Sequence, residues 1–69
     1  MNKDELMEIF IFHPVKVGQA EKYQVMREMG MKLAFLIDET CPQSREKSLA
    51  ITKLQEAIMF ANASIAIHT

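Results

Sequence analysis

Residues 44–67 read SREKSLAITKLQEAIMFANASIAI, and within them Ile51, Leu54, Ile58, Ala61 and Ile65 return at intervals of three and four. That period puts all five on one face of an α-helix. Ser44 is a good N-cap for it, and Glu46 in the first turn opposes the positive end of the helix dipole. Ala50, Ala57, Met59, Phe60, Ala63, Ala66 and Ile67 then widen the apolar surface nearly all the way round the C-terminal half. A helix apolar on most sides is normally buried on most sides, and one partner helix cannot cover that much surface.

Upstream, Thr40-Cys41-Pro42-Gln43 interrupts the pattern. From about Gln19 to Glu39 there is no proline, and Tyr23, Met26, Gly30, Leu33 and Ile37 again recur by threes and fours, predicting a second long helix. Gly30 inside it costs about 1 kcal/mol of helix propensity relative to alanine, a loss that close helix-to-helix approach offsets. The connection over 40–44 is short, so the two long helices, 19–39 and 45–67, are expected to be antiparallel neighbours. Before them, Asn2 with Glu5 three residues later is a variant of the capping box, and Leu6, Ile9 and Phe10 follow at helical spacing, predicting a short helix over 3–10. Pro14 pushes His13 away from helical geometry and Gly18 follows, which makes 11–18 a connector. The expected fold is all-α: a short helix, then a helical hairpin in one domain over 1–69.

The chain has 69 residues, and a domain of that size buries only roughly 60% of the surface its unfolded chain exposes. Small domains usually add disulfides, a structural metal or partner subunits. Cys41 is the lone cysteine and His13 and His68 are the two histidines, so neither an internal disulfide nor the usual zinc spacing is available. Partner subunits remain, and Val25, Met29, Phe35 and Leu36 outside the first long helix's seam favour a homo-oligomer over a monomeric hairpin. With 49% hydrophobic and 25% charged residues the chain is a folding sequence. A net charge of −1 argues against a general DNA or RNA binder, which must neutralise many phosphates. No apolar run approaches the ~20 residues of a membrane span, and Met1-Asn2-Lys3-Asp4-Glu5 is too acidic for a signal peptide, so the expected location is cytosolic.

Catalysis finds little support. Ser44, Ser48, Ser64 and Cys41 are the obvious nucleophiles, and none stands in a motif with a histidine. Two other sets are more informative. Arg45, Ser48, Thr52 and Glu56, at intervals of three, four and four, share one face of the last helix, with Lys47 and Lys53 beside it. Cations and hydroxyls near a helix N-terminus suit a phosphate, while a solvated face with i,i+4 charge pairing accounts for the same residues. Phe12 on the connector, with His13 before a proline, and Tyr23 one turn from Arg27 form the other set. They suit a purine held between a ring and a cation, and equally an aromatic staple and a core tyrosine.

Phe12-His13-Pro14, Tyr23 with Arg27, Leu33-Ala34, Ile37-Asp38 and above all Cys41 to Ala63 resemble the phage anti-CBASS cyclic-nucleotide sponges. The family is also related to the hairpin of the phage sponges that trap Thoeris signals. The resemblance covers nearly the whole chain. Many such proteins have tryptophan at the position of Phe60 and a second proline at that of Val15, departures that conserve bulk or fall in the connector. The resemblance implies a compact hexamer in the cytoplasm of the infected bacterial host. It would bind cyclic dinucleotides, and in many members cyclic trinucleotides, without cleaving them and without a cofactor or metal. Carried onto this chain, it implies that Phe12, Tyr23 and Arg27 serve base stacking and cationic contacts, with His13 as a candidate donor. Arg45, Lys47, Ser48, Thr52, Lys53 and Glu56 form the pool for phosphates and base edges. An intersubunit ion pair between Arg45 and Glu56 is an equal use of those two residues.

Three other classes compete. A protein-interaction module would use the adaptable side chains of Met26, Met29, Met31 and Met59 and bind no small molecule. A phosphodiesterase would need a metal or a positioned acid and base, and no such cluster is visible. A DNA regulator would want a positively charged recognition helix, which neither long helix offers.

Overall fold

The computed structural model describes residues 2–10 and 14–69, with the backbone alone described at 8–10. Among them the chain forms three helices, α1 (Lys3–Phe10), α2 (Gln19–Thr40) and α3 (Arg45–His68), and no strand. The architecture is all-helical, and α2 and α3 pack against each other as a hairpin.

Each helix end has a local chemical cause. Asn2 Oδ1 accepts from the Glu5 amide at 2.8 Å, the arm that starts α1. Before α2, Gly18 has φ 85° and ψ −16° while the Gln19 amide donates to Lys16 O at 3.1 Å. These are the marks of the third position of a type II turn, where any side chain is strained. At the far end Pro42 holds the preceding Cys41 in extended geometry, φ −93° and ψ 132°, and α2 stops there. Ser44 then starts α3: its Oγ accepts from the Lys47 amide at 3.1 Å and donates to Pro42 O at 3.0 Å.

The two helices of the hairpin approach closely at Gly30, which is buried. A Cβ on that residue would lie 2.9 Å from Cγ1 and 3.0 Å from Cδ1 of Ile58. This contact sets the register and confirms the close approach expected of a glycine in mid-helix. On α3 all five residues of the expected seam, Ile51, Leu54, Ile58, Ala61 and Ile65, are at least half-buried. On α2 the seam differs from expectation. Tyr23, Gly30 and Ile37 face α3, but Leu33 is 45% exposed and Met26 is exposed, and Ala34 takes the inner position instead. A straight helix drifts by ~20° per heptad from a 3.5-residue repeat, and the contact line follows the small residues Gly30 and Ala34 that admit the other helix.

Among the described residues no apolar side chain is fully buried, and Phe60 on α3 is 73% exposed. Phe35, Leu36, Met29 and Val25 are exposed on α2. The chain is a slab only 13 Å through its thinnest dimension, and among the described residues no second layer of helices covers its faces. No described helix is long and apolar enough to cross a membrane.

Candidate functional site

Because Gly30 lets α2 and α3 approach, the side chains flanking it leave an open groove of about 430 Å³ along the hairpin. Met31, Ile58 and Met59 make it apolar; Arg27, Gln55 and Asn62 supply its polar groups. Arg27 is exposed and Tyr23, one turn earlier on the same face of α2, is half-buried. A ring with a cation one turn away is able to receive a flat aromatic ligand. Asn62 Oδ1 is buried with no hydrogen-bond partner among the described residues, so this wall keeps one acceptor unused.

The residues of the other set lie on α3. Arg45, Ser48, Thr52 and Lys53 are exposed. Lys47 is drawn inward: its Nζ donates to Asp38 O at 3.0 Å and pairs with Asp38 Oδ1 at 3.0 Å, leaving its side chain 10% exposed. It satisfies a carbonyl in the last turn of α2, where a cation also meets the negative end of the helix dipole. Lys53 Nζ pairs with Glu56 Oε2 at 3.5 Å across one turn. Both partners are well exposed, so that pair contributes little to stability.

The hairpin therefore separates the turn-end members of the second set from the first. With Gly30 beside Ile58, Tyr23 and Arg27 lie at the open end of the hairpin, whereas Arg45, Lys47 and Ser48 lie at its turn. The gap to those three is roughly 20–30 Å along α3 at 1.5 Å per residue, whereas Thr52, Lys53 and Glu56 lie in between, nearer Arg27. Within one chain Arg45, Lys47 and Ser48 do not meet Tyr23 and Arg27 on a single small ligand. Phe12 and His13, which complete the first set, lie outside the described residues. No described group of His, Cys, Asp and Glu is arranged to hold a metal ion.

Two residues absent from the sequence-based set stand out. Asn62 has no neighbour in the sequence to mark it. Gln19 is 2% exposed, the one buried polar residue among those described, and joins the connector to the end of α3. Its Oε1 accepts from the Lys16 amide at 2.9 Å, as the return arm of a capping box does, but without the Ser or Thr at the cap that makes the motif legible.

The family model described as "Acb2/Tad1, hairpin domain" matches residues 2–66. No curated protein matches the chain, and no solved structure does. The match takes in α1, the connector, α2, the turn and α3 as far as Ala66. The chain belongs to the Acb2/Tad1 hairpin family, the anti-CBASS and anti-Thoeris sponges, which bind cyclic nucleotides rather than act as enzymes.

Proposed function

We propose that this chain assembles as a homo-hexamer of hairpins that captures cyclic dinucleotides and cyclic trinucleotides made by bacterial CBASS immunity. It holds them uncleaved in the cytoplasm of the infected host and so silences the alarm. The observation that carries the reading is membership of the sponge family over residues 2–66. The apolar faces of the slab support the assembly, because they leave Phe60, Phe35 and Leu36 exposed as surface for other copies to cover.

Assembly also answers the separation of Arg45, Lys47 and Ser48 from Tyr23 and Arg27. In a closed, rotationally symmetric oligomer the turn of one hairpin is free to approach the open end of another, and each set is repeated around the axis. A cyclic ligand with two or three phosphates needs few cations, which suits a chain of net charge −1. In this reading Phe12, Tyr23 and Arg27 stack on the bases, each stacked base contributing about 1–3 kcal/mol, and His13 donates. Arg45, Ser48, Thr52 and Lys53 meet phosphates, Glu56 accepts from a base amino group, and Lys47 offers the ammonium proton that Asp38 leaves unused.

Isothermal titration with a 3′,3′-linked cyclic dinucleotide and with a cyclic trinucleotide, followed by chromatography of ligand released by heating, tests the proposal. Submicromolar binding, fewer than one ligand per chain and recovery of intact ligand are expected. The exposed Met29, Met31 and Met59 favour a second reading, a non-enzymatic protein-interaction module. Absence of heat and of retained ligand with both nucleotides would put that reading first.

A further inference from the structure

Among the described residues, Asn62 is the one whose side chain holds a buried polar atom without a hydrogen-bond partner. An acceptor in that state has lost its water and gained nothing in exchange, so a ligand donor that reaches it binds the more tightly. The residue is not stranded in the core. It lines the groove beside Gly30 together with Arg27.

The register of the hairpin brings those two residues to one end of the groove. Gly30 meets Ile58, so Arg27 lies three residues toward the open end on α2 and Asn62 lies four residues toward it on α3. At 1.5 Å per residue these offsets are about 4.5 Å and about 6 Å, the same level of the hairpin. Gln55, the other polar residue of the lining, stands three residues the opposite way, roughly 10 Å from Asn62 along the helix. Between the two polar ends the walls are apolar. Met31 and Met59 are exposed there, and their flexible thioethers adapt to an entering ring and pack against it. The amide torsion of asparagine is broad and two-fold, so Oδ1 turns toward the groove once a donor is present.

An asparagine amide offers an acceptor beside a donor, and adenine offers the complement, its N6 amino group beside N7. Guanine has two acceptors, O6 and N7, on the same edge and would leave Oδ1 unpaired. We propose that Asn62 is a specificity-determining residue, which reads the exocyclic amino group of an adenine in the captured cyclic nucleotide. This rests on the sponge reading given above and adds a base preference to it. Oδ1 accepts from N6–H, Nδ2 donates to N7, and the Arg27 guanidinium at the same level supplies the cationic contact to the ring.

The test is isothermal titration of the full chain with the 3′,3′-linked cyclic dinucleotide of adenine and with its analogue in which hydrogen replaces both N6 amino groups. The unmutated chain is expected to bind the amino form about tenfold more tightly, the ratio that corresponds to one hydrogen bond whose absence leaves a buried acceptor unpaired. In Asn62→Leu that ratio is expected to fall to about one. Leucine repeats the branched shape of asparagine without its polar atoms, so the variant is expected to fold at least as well. Asn62→Ala carries the same measurement should leucine perturb the hairpin. A merely structural role for Asn62 would weaken both ligands alike and preserve the ratio, and that result overturns the proposal. Equal binding of the two ligands by the unmutated chain also overturns it while leaving the sponge reading intact. Binding of neither dinucleotide overturns it as well, and the sponge reading falls with it when a cyclic trinucleotide is not bound either. If a second copy meets Asn62 instead, Asn62→Leu changes the oligomeric state in sedimentation and leaves the ratio untouched, which again counts against the proposal.

Discussion

The two ends of the hairpin are closed by different physics. At the turn, Lys47 bonds Asp38 across nine residues of sequence, beside a covalent connection that already holds α2 and α3 together. The carboxylate there is 72% exposed, so water competes for every contact. At the open end no covalent link exists, and Gln19 reaches Ile65 and Thr69 across 46 and 50 residues. There the polar group is sealed from water and all of its hydrogen bonds are made inside the protein. Where the chain itself closes the structure, polar contacts are incidental; where it does not, one buried amide ties the ends together.

Breaking the open end is expected to have the largest effect. Gln19→Leu leaves the Lys16 amide without its partner, and urea unfolding at fixed protein concentration should show a loss of about 2 kcal/mol. Hydrogen exchange should quicken at residues 16–19 before it does at the turn, a pattern that would reverse if the turn were the weaker fastening.

Midway between the ends, Gly30→Ala pits two effects against each other. The added Cβ meets Ile58 Cγ1 at 2.9 Å, an overpacking that costs typically 1–3 kcal/mol, against about 1 kcal/mol gained in helix propensity. A net loss of about 1 kcal/mol in thermal or urea unfolding is expected. In the Ile58→Ala background the clash is gone and the same substitution should stabilise by about 1 kcal/mol, a change of sign that isolates the contact.

At the turn the expected effect is smallest. Asp38→Ala removes the carboxylate but leaves its main-chain carbonyl as an acceptor for Lys47, and a loss of no more than about 0.5 kcal/mol is expected. That loss should shrink further when unfolding is repeated at 1 M salt. A loss equal to that of Gln19→Leu would erase the contrast between the ends.

The parts legible without coordinates are those governed by neighbours a few residues away. Asn2 and Ser44 cap the helices they precede, Pro42 ends α2 through Cys41, and the five-residue seam of α3 faces its partner. The face carrying Arg45, Ser48, Thr52 and Glu56 was readable from spacing for the same reason. Capping, proline sterics and helical period act over one turn, so a linear sequence contains all they need.

Tertiary structure alone decided the rest. It placed Ala34 rather than Leu33 on the seam, because the line of contact follows where the other helix fits and not which residue is more apolar. It turned Lys47 inward to Asp38 while leaving Arg45 and Lys53 at the surface, a distinction that three neighbouring cations do not carry in their order. It also buried Gln19, whose partners lie at the opposite end of the chain. A glutamine beside a glycine has no local sign of being the one sealed polar residue; only the return of α3 over the connector excludes water from it and makes its hydrogen bonds matter.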